Sequence, residues 1–188
     1  MKQLIILSLI ALANICYANA QVKVEEPEFS EQAIYLTSDT TFIKLPRENS
    51  KVKTKAAASL YLTGIGKVKS RITIDSQASP LSIKESPVIR IILKADNNAT
   101  DPNSFINIFK FEQKGNRRQA QIAEAGTFSG SETNSLQTIQ FNAKKYGESS
   151  YLIAIESLEV GEYGITISDP NKLSGKNSFL ITTFGVSK

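Results

Sequence analysis

The stretch from Ser150 to Val186 constrains the fold most. Three apolar runs, Tyr151–Ile155, Tyr163–Ile167 and Phe179–Phe184, are separated by turn-forming residues. The middle junction, Leu158-Glu159-Val160-Gly161-Glu162-Tyr163-Gly164-Ile165, has the spacing of a tyrosine corner. In that device a strand ends on Leu, the chain turns at Gly, and a Tyr two residues on opens the next strand. Its hydroxyl reaches back to upstream backbone. Tyr163 is therefore expected as a structural anchor within a β-sandwich. The plainer reading makes it a half-buried β-former.

The rest of the chain agrees in kind. Short β-rich runs separated by Gly, Ser, Asn and Asp recur at roughly 10- to 15-residue spacing, which favours a sandwich or barrel. Val88–Lys94 reads as a buried strand, and Ile139 and Phe141 share one face at period 2. Two hairpins are expected. One joins Ser59–Thr63 to Lys67–Ile74 through Gly64-Ile65-Gly66; the other joins Phe105–Phe111 to Arg117–Ala123 around Lys114-Gly115-Asn116. Pro46 to Lys55 reads as a polar connection. The best helix candidate, Lys53–Ala58, is short and uncapped, so loop or strand is expected there. The fold class is all-β, an immunoglobulin-like or related Greek-key sandwich.

A cleaved signal peptide is expected over residues 1–20. Lys2 precedes the apolar run Leu4–Ala13, and Ala18-Asn19-Ala20 supplies a small-x-small cleavage site. The run is shorter than the about 20 residues a spanning helix needs. Cys16 follows Ile15 rather than the small residue that precedes a bacterial lipid-modified Cys, so cleavage after Ala20 and a soluble product are expected. Residues 21–31, polar and acidic, read as a flexible leader, and 32–188 as one domain. The expected location is the periplasm, the outer surface or the medium.

Of 188 residues, removal of the first 20 leaves 168, with no Cys, Met, Trp or His and a formal charge of +3. Stability must then come from a packed core rather than disulfides, and a chain of this length can supply one. The same absences exclude thiolate nucleophiles, Ser-His-Asp relays and ordinary zinc or copper sites. Enzymes that work with carboxylates alone remain open, a small glycan hydrolase among them.

Charge is uneven. From Lys44 to Arg71 there are eight cations and one acid, Glu48. On a strand Lys67, Lys69 and Arg71 share a face, about 7 Å apart. They are the candidate polyanion site, for a glycan or an anionic lipid surface; the alternative is a solvated face that discourages edge pairing. Export and the lack of a recognition motif argue against nucleic acid. Lys110, Lys114, Arg117 and Arg118 form a second basic group, read as a charged turn. Asp96, Asn98 and Asp101 are the candidate calcium loop, although Asx-turns explain the same residues without metal. No other cofactor is indicated.

The strings Phe109-Lys110-Phe111-Glu112, Lys144–Leu152, Gly161–Ile165 and Thr183–Val186 resemble uncharacterised exported β-rich proteins of Bacteroidota-type bacteria. The resemblance implies export and a β-rich domain, and no activity. The leading expectation is a non-enzymatic exported module that binds an envelope or extracellular partner: a protein, a glycan or an anionic lipid.

Overall fold

Alternation of apolar and polar residues builds thirteen strands in the computed structural model, which describes residues 22–63, 65–126, 133–134, 136–167 and 178–188. In chain order they are β1 Ala33–Leu36, β2 Phe42–Lys44, β3 Arg47–Ala56, β4 Lys67–Ile74, β5 Ser82–Lys84, β6 Val88–Lys94, β7 Asn107–Lys114, β8 Arg117–Gly126, β9 Thr133–Asn134, β10 Asn142–Tyr146, β11 Ser150–Glu156, β12 Gly161–Thr166 and β13 Phe179–Ser187. A one-and-a-half-turn helix, α1 Ala58–Thr63, links β3 to β4. The expected signal peptide, residues 1–20, lies outside the described residues.

The chain is all-β, in two sheets. One has the antiparallel order β10-β11-β6-β1-β2. The other runs β12-β7-β8-β4-β3-β13, and pairing of β12 with β13 closes it into a barrel. β5 adds to the end of β13 in parallel, Gly185 opposite Ser82, and β9 adds to β8.

Three apolar clusters follow from the strand period. Ile89, Ile91 and Leu93 of β6, with Tyr151, Ile153 and Ile155 of β11, pack on Ile108, Tyr163, Ile165, Phe184 and Val186 from the barrel wall. The opposite face of β12, β13 and β7 points into the barrel, where Phe109, Phe111 and Ile181 meet Ile72, Ile74, Ala120 and Ile122. Gly164 is part of that packing. A Cβ there would lie 2.9 Å from both Phe109 Cζ and Phe111 Cε2, so only a residue without a side chain lets the two rings meet edge to face at 5.1 Å. The outer face of the first sheet carries Ile34, Leu36, Ile92 and Leu152, covered by Val24.

That cover corrects the expected flexible leader at 21–31. Val24 is buried, Lys23 N–H donates to the Asp39 carbonyl at 2.8 Å, and the Tyr146 hydroxyl donates to the Val24 carbonyl. Glu26 accepts from the Ser150 hydroxyl at 2.7 Å and from the Ser149 and Glu148 amides at 3.3 Å, and pairs with Lys94 at 3.2 Å. Polar composition suggested a tail; an apolar sheet face that would otherwise meet water holds it down.

Two further expectations change. Ser59–Thr63 is helix, not the partner of Lys67–Ile74, because β4 is paired on both sides, with β3 and β8. The polar segment after Pro46 is the ten-residue β3, its cations outward and Ser50 and Val52 turned inward. Tertiary pairing outweighs local polarity there. The second hairpin forms between β7 and β8, turning at Gly115 with φ +60°. No helix among the described residues is long and apolar enough to cross a membrane.

Candidate polyanion face

The outer wall of β3 and β4 gathers the cations of the basic segment. Antiparallel register places Lys53 opposite Arg71, Lys55 opposite Lys69 and Lys51 opposite Thr73, so cations two apart on each strand form a lattice. All three residues of the expected trio line one shallow recess beside α1, but their partners differ. Lys67 and Lys69 both pair with Glu124 of β8, at 2.5 and 3.0 Å. These two ammonium groups, Lys67 first, hold the Glu124 carboxyl down to about 2. Arg71 is separated from them by a bulge: β4 shifts register against β8 between Ser70 and Arg71.

Arg71 also lines a recess of about 350 Å³ with Lys53, Lys55, Lys114 and Arg117, together with Thr73, Gly115 and Gln119. Five cations and no acid line it. Lys114 and Arg117, a separate charged turn in the sequence, arrive there because β8 pairs with β4 and sets the β7–β8 tip beside the same wall. Asp75 stands at its edge, 3.0 Å from Lys51 and 3.9 Å from Lys53. Such a recess can take phosphate, sulfate or carboxylate groups by charge and by guanidinium hydrogen bonding.

A second recess, about 470 Å³, lies between residues 23–28 and β1 to β3. Its floor is Val24, Ala33, Ile34, Phe42 and Leu45. Its charges balance: Lys23, Lys44 and Arg47 against Glu25, Glu26 and Glu28.

Arg118, grouped with the basic turn from sequence, is fully buried. Neighbouring strand residues point to opposite faces. With Arg117 outside, Arg118 must enter the barrel, and that parity was readable in the sequence. Its guanidinium donates to Glu48 Oε2 at 2.5 Å, Glu162 Oε2 at 3.3 Å, Ser76 Oγ at 2.6 Å and the Ser76 carbonyl at 3.2 Å, and packs over Phe111. Glu48 also accepts from Thr183 at 2.6 Å and Ser76 at 3.0 Å, and Glu162 from the Ser79 amide at 2.7 Å. Burial pushes Glu48 up, but hydrogen bonds and charge from Arg118, with Thr183 and Ser76, outweigh it and the carboxyl lies below its ordinary value. Glu162 is raised, by burial first and also by the Glu48 charge, against the Ser79 amide and Arg118. The two acids are thus joined through a guanidinium that ties β8 to β3 and β12.

The candidate calcium ligands are each engaged elsewhere. Asp96 accepts from the Ser30 hydroxyl at 2.8 Å, Asn98 donates to the Gly147 and Ser150 carbonyls at 3.2 and 3.4 Å, and Asp101 caps the turn 102–104 through the Asn103 amide at 3.0 Å. Among the described residues no group of three or more acid, Cys or His side chains is placed to hold a metal ion. Short polar side chains here bond local backbone, as Asx-turns do.

Tyr163 is almost fully buried; its hydroxyl donates to the Glu159 carbonyl at 2.7 Å and its ring stacks on Phe184 at 5.4 Å. Lys110 pairs with Glu159 at 2.8 Å beside it. No family model matches the sequence, and no curated protein matches it.

Proposed function

We propose that the chain is an exported, non-enzymatic binding module that engages anionic groups of a glycan or lipid surface through the outer wall of β3, β4 and the β7–β8 tip. One observation carries this: two segments some forty residues apart in sequence deliver five cations to one acid-free recess. The wall does carry acids, Glu124 on Lys67 and Lys69 and Asp75 on Lys51 and Lys53, but neither lines this recess, whereas the recess at residues 23–28 balances its charges. Export rests on the N-terminal pattern, and the resemblance to exported Bacteroidota-type proteins agrees with it. The alternative, a carboxylate-based glycan hydrolase, needs two acids facing a shared cleft with water between them. Glu48 and Glu162 meet on Arg118, and Glu25, Glu26 and Glu28 share their recess with Lys23, Lys44 and Arg47, with Glu26 held by Lys94 and Ser150. The accompanying fold reading is a modified Greek-key sandwich, in which the five-stranded sheet lies on the β12-β7-β13 wall.

Heparin retention tests the function. Residues 21–188 are expected to bind at low salt and elute as salt screens the charges. The Lys53→Glu/Arg71→Glu variant, with an unchanged far-ultraviolet spectrum, is expected to flow through. Absence of wild-type retention overturns the reading.

A further inference from the structure

We infer that α1 and the residue after its turn, Ile65, form an apolar tip that inserts into the interface of an anionic lipid bilayer, with the β3–β4 cations on the headgroups. The inference rests on the anionic reading of the neighbouring wall and names its partner.

The helix sits at the end of the β3–β4 hairpin and buries none of its residues. Tyr61 is 81% exposed, Leu62 84% and Ile65 51%. Other large apolar side chains are exposed too, Phe29, Ile43, Val88 and Leu180 among them, but Tyr61 and Leu62 are the most exposed of the described residues and are adjacent in one loop. The loop is nevertheless held in a definite orientation. Leu60 is half-buried against Gly66, its Cβ and amide nitrogen 2.9 Å from where a Cβ on Gly66 would lie. The Ala57 amide donates to the Lys67 carbonyl at 2.9 Å, and the Thr63 hydroxyl donates to the Ser59 carbonyl at 2.8 Å. These contacts seat the helix on the first residues of β4, and Tyr61 and Leu62 are left in solvent.

Charge complementarity identifies the occupant. A recess of about 390 Å³ at the helix base is lined by Lys55, Lys67, Lys69 and Arg71 beside Ser59 and Ala57. Apolar tip and cationic base lie in that order along the hairpin axis. This is the order of an anionic membrane met from outside, headgroups first in reach of the lysines and acyl chains beyond. The tip is convex, so a fluid apolar phase receives it without a matching cavity, whereas a folded protein would need one. The helix is about 9 Å long at 1.5 Å per residue, within the depth reached by interfacial helices. Tyrosine suits the boundary, its ring among acyl chains and its hydroxyl at headgroup level.

The chain contains no Trp, so Leu62→Trp installs a single reporter at the tip. On vesicles of mixed phosphatidylglycerol and phosphatidylcholine its emission is expected to shift to the blue, with no shift on soluble heparin. Tyr61→Ser/Leu62→Ser is expected to lower the vesicle partition coefficient about 10-fold or more while leaving heparin retention unchanged. Vesicle binding without a blue shift, or an unchanged partition coefficient in the double variant, overturns the insertion and leaves the polyanion reading standing. Heparin retention without vesicle binding does the same. Loss of a dimer in the double variant, seen by sedimentation, with vesicle binding intact assigns the tip to a second copy of the chain and overturns the proposal. Failure of the wild type to bind either probe removes both readings.

Discussion

Replacing Arg118 with Met tests how the barrel is held at its polar end. Methionine fills much of the arginine stem, so the change removes charge and hydrogen bonds with little change in packed volume. Four donor contacts vanish: to Glu48, to Glu162 and two to Ser76. Two carboxylates remain, with side chains only 14% and 12% exposed. Glu48 keeps Thr183 and Ser76, and Glu162 keeps the Ser79 amide, but neither keeps a counter-charge. Removing one partner from a buried ion pair costs about 3–5 kcal/mol. Against a typical total of about 5–15 kcal/mol, the variant is marginal. Urea unfolding monitored by circular dichroism measures the loss, with an unchanged m value as the two-state check. The sign of the pH effect is fixed as well. Loss of the guanidinium raises both acids relative to the parent protein, so the folded variant binds protons more readily than the parent and the deficit shrinks as pH falls. Adding Glu48→Gln and Glu162→Gln to the Met variant is expected to recover most of the loss at neutral pH. A deficit below about 1 kcal/mol, the size of a surface pair, or a deficit that grows on acidification, refutes the reasoning.

Two further outcomes follow from the geometry. Tyr163→Phe keeps the ring on Phe184 and deletes only the bond to Glu159, so a loss of about 1 kcal/mol in the same urea assay is expected; no loss would make the hydroxyl incidental. Glu26 is held down to about 2, chiefly by the Ser150 hydroxyl, with Lys94 and the Ser149 and Glu148 amides adding to it against burial. Its contribution is present above the ordinary value of 4.5 and is lost as pH falls from there toward 2. Amide exchange of residues 22–26 is expected to quicken over that window, and Glu26→Gln to abolish the dependence.

Strand positions were legible where both neighbours of a run are apolar. Val88–Lys94 is one strand in sequence and in space, because its alternate residues serve clusters on both faces of the sheet. The hairpin around Gly115 was legible from turn chemistry. Arg47–Ala56 was not, since lysines at every second position mark a strand only when the inward residues, Ser50 and Val52, have a barrel to face. Ser59–Thr63 looked like a strand for its Leu-Tyr-Leu pattern, yet β4 was already paired on both sides. Half of the candidate site, Lys53 and Lys55 beside Arg71, lay within the basic segment noted from sequence. The recess itself depends on β8 pairing with β4, which sets the hairpin tip beside the wall, a long-range event without local signature.

The strand that seals the barrel, β13, follows the other twelve described strands in chain order. Phe179 of β13 faces Ser50 across the seam, a separation of 129 residues. Until the nine residues of β13 are in place, β3 and β12 present naked edges, each able to recruit a foreign strand. Loop closure over that span is slow. Loss of β13 would therefore open two sheet edges at once, at β3 and at β12.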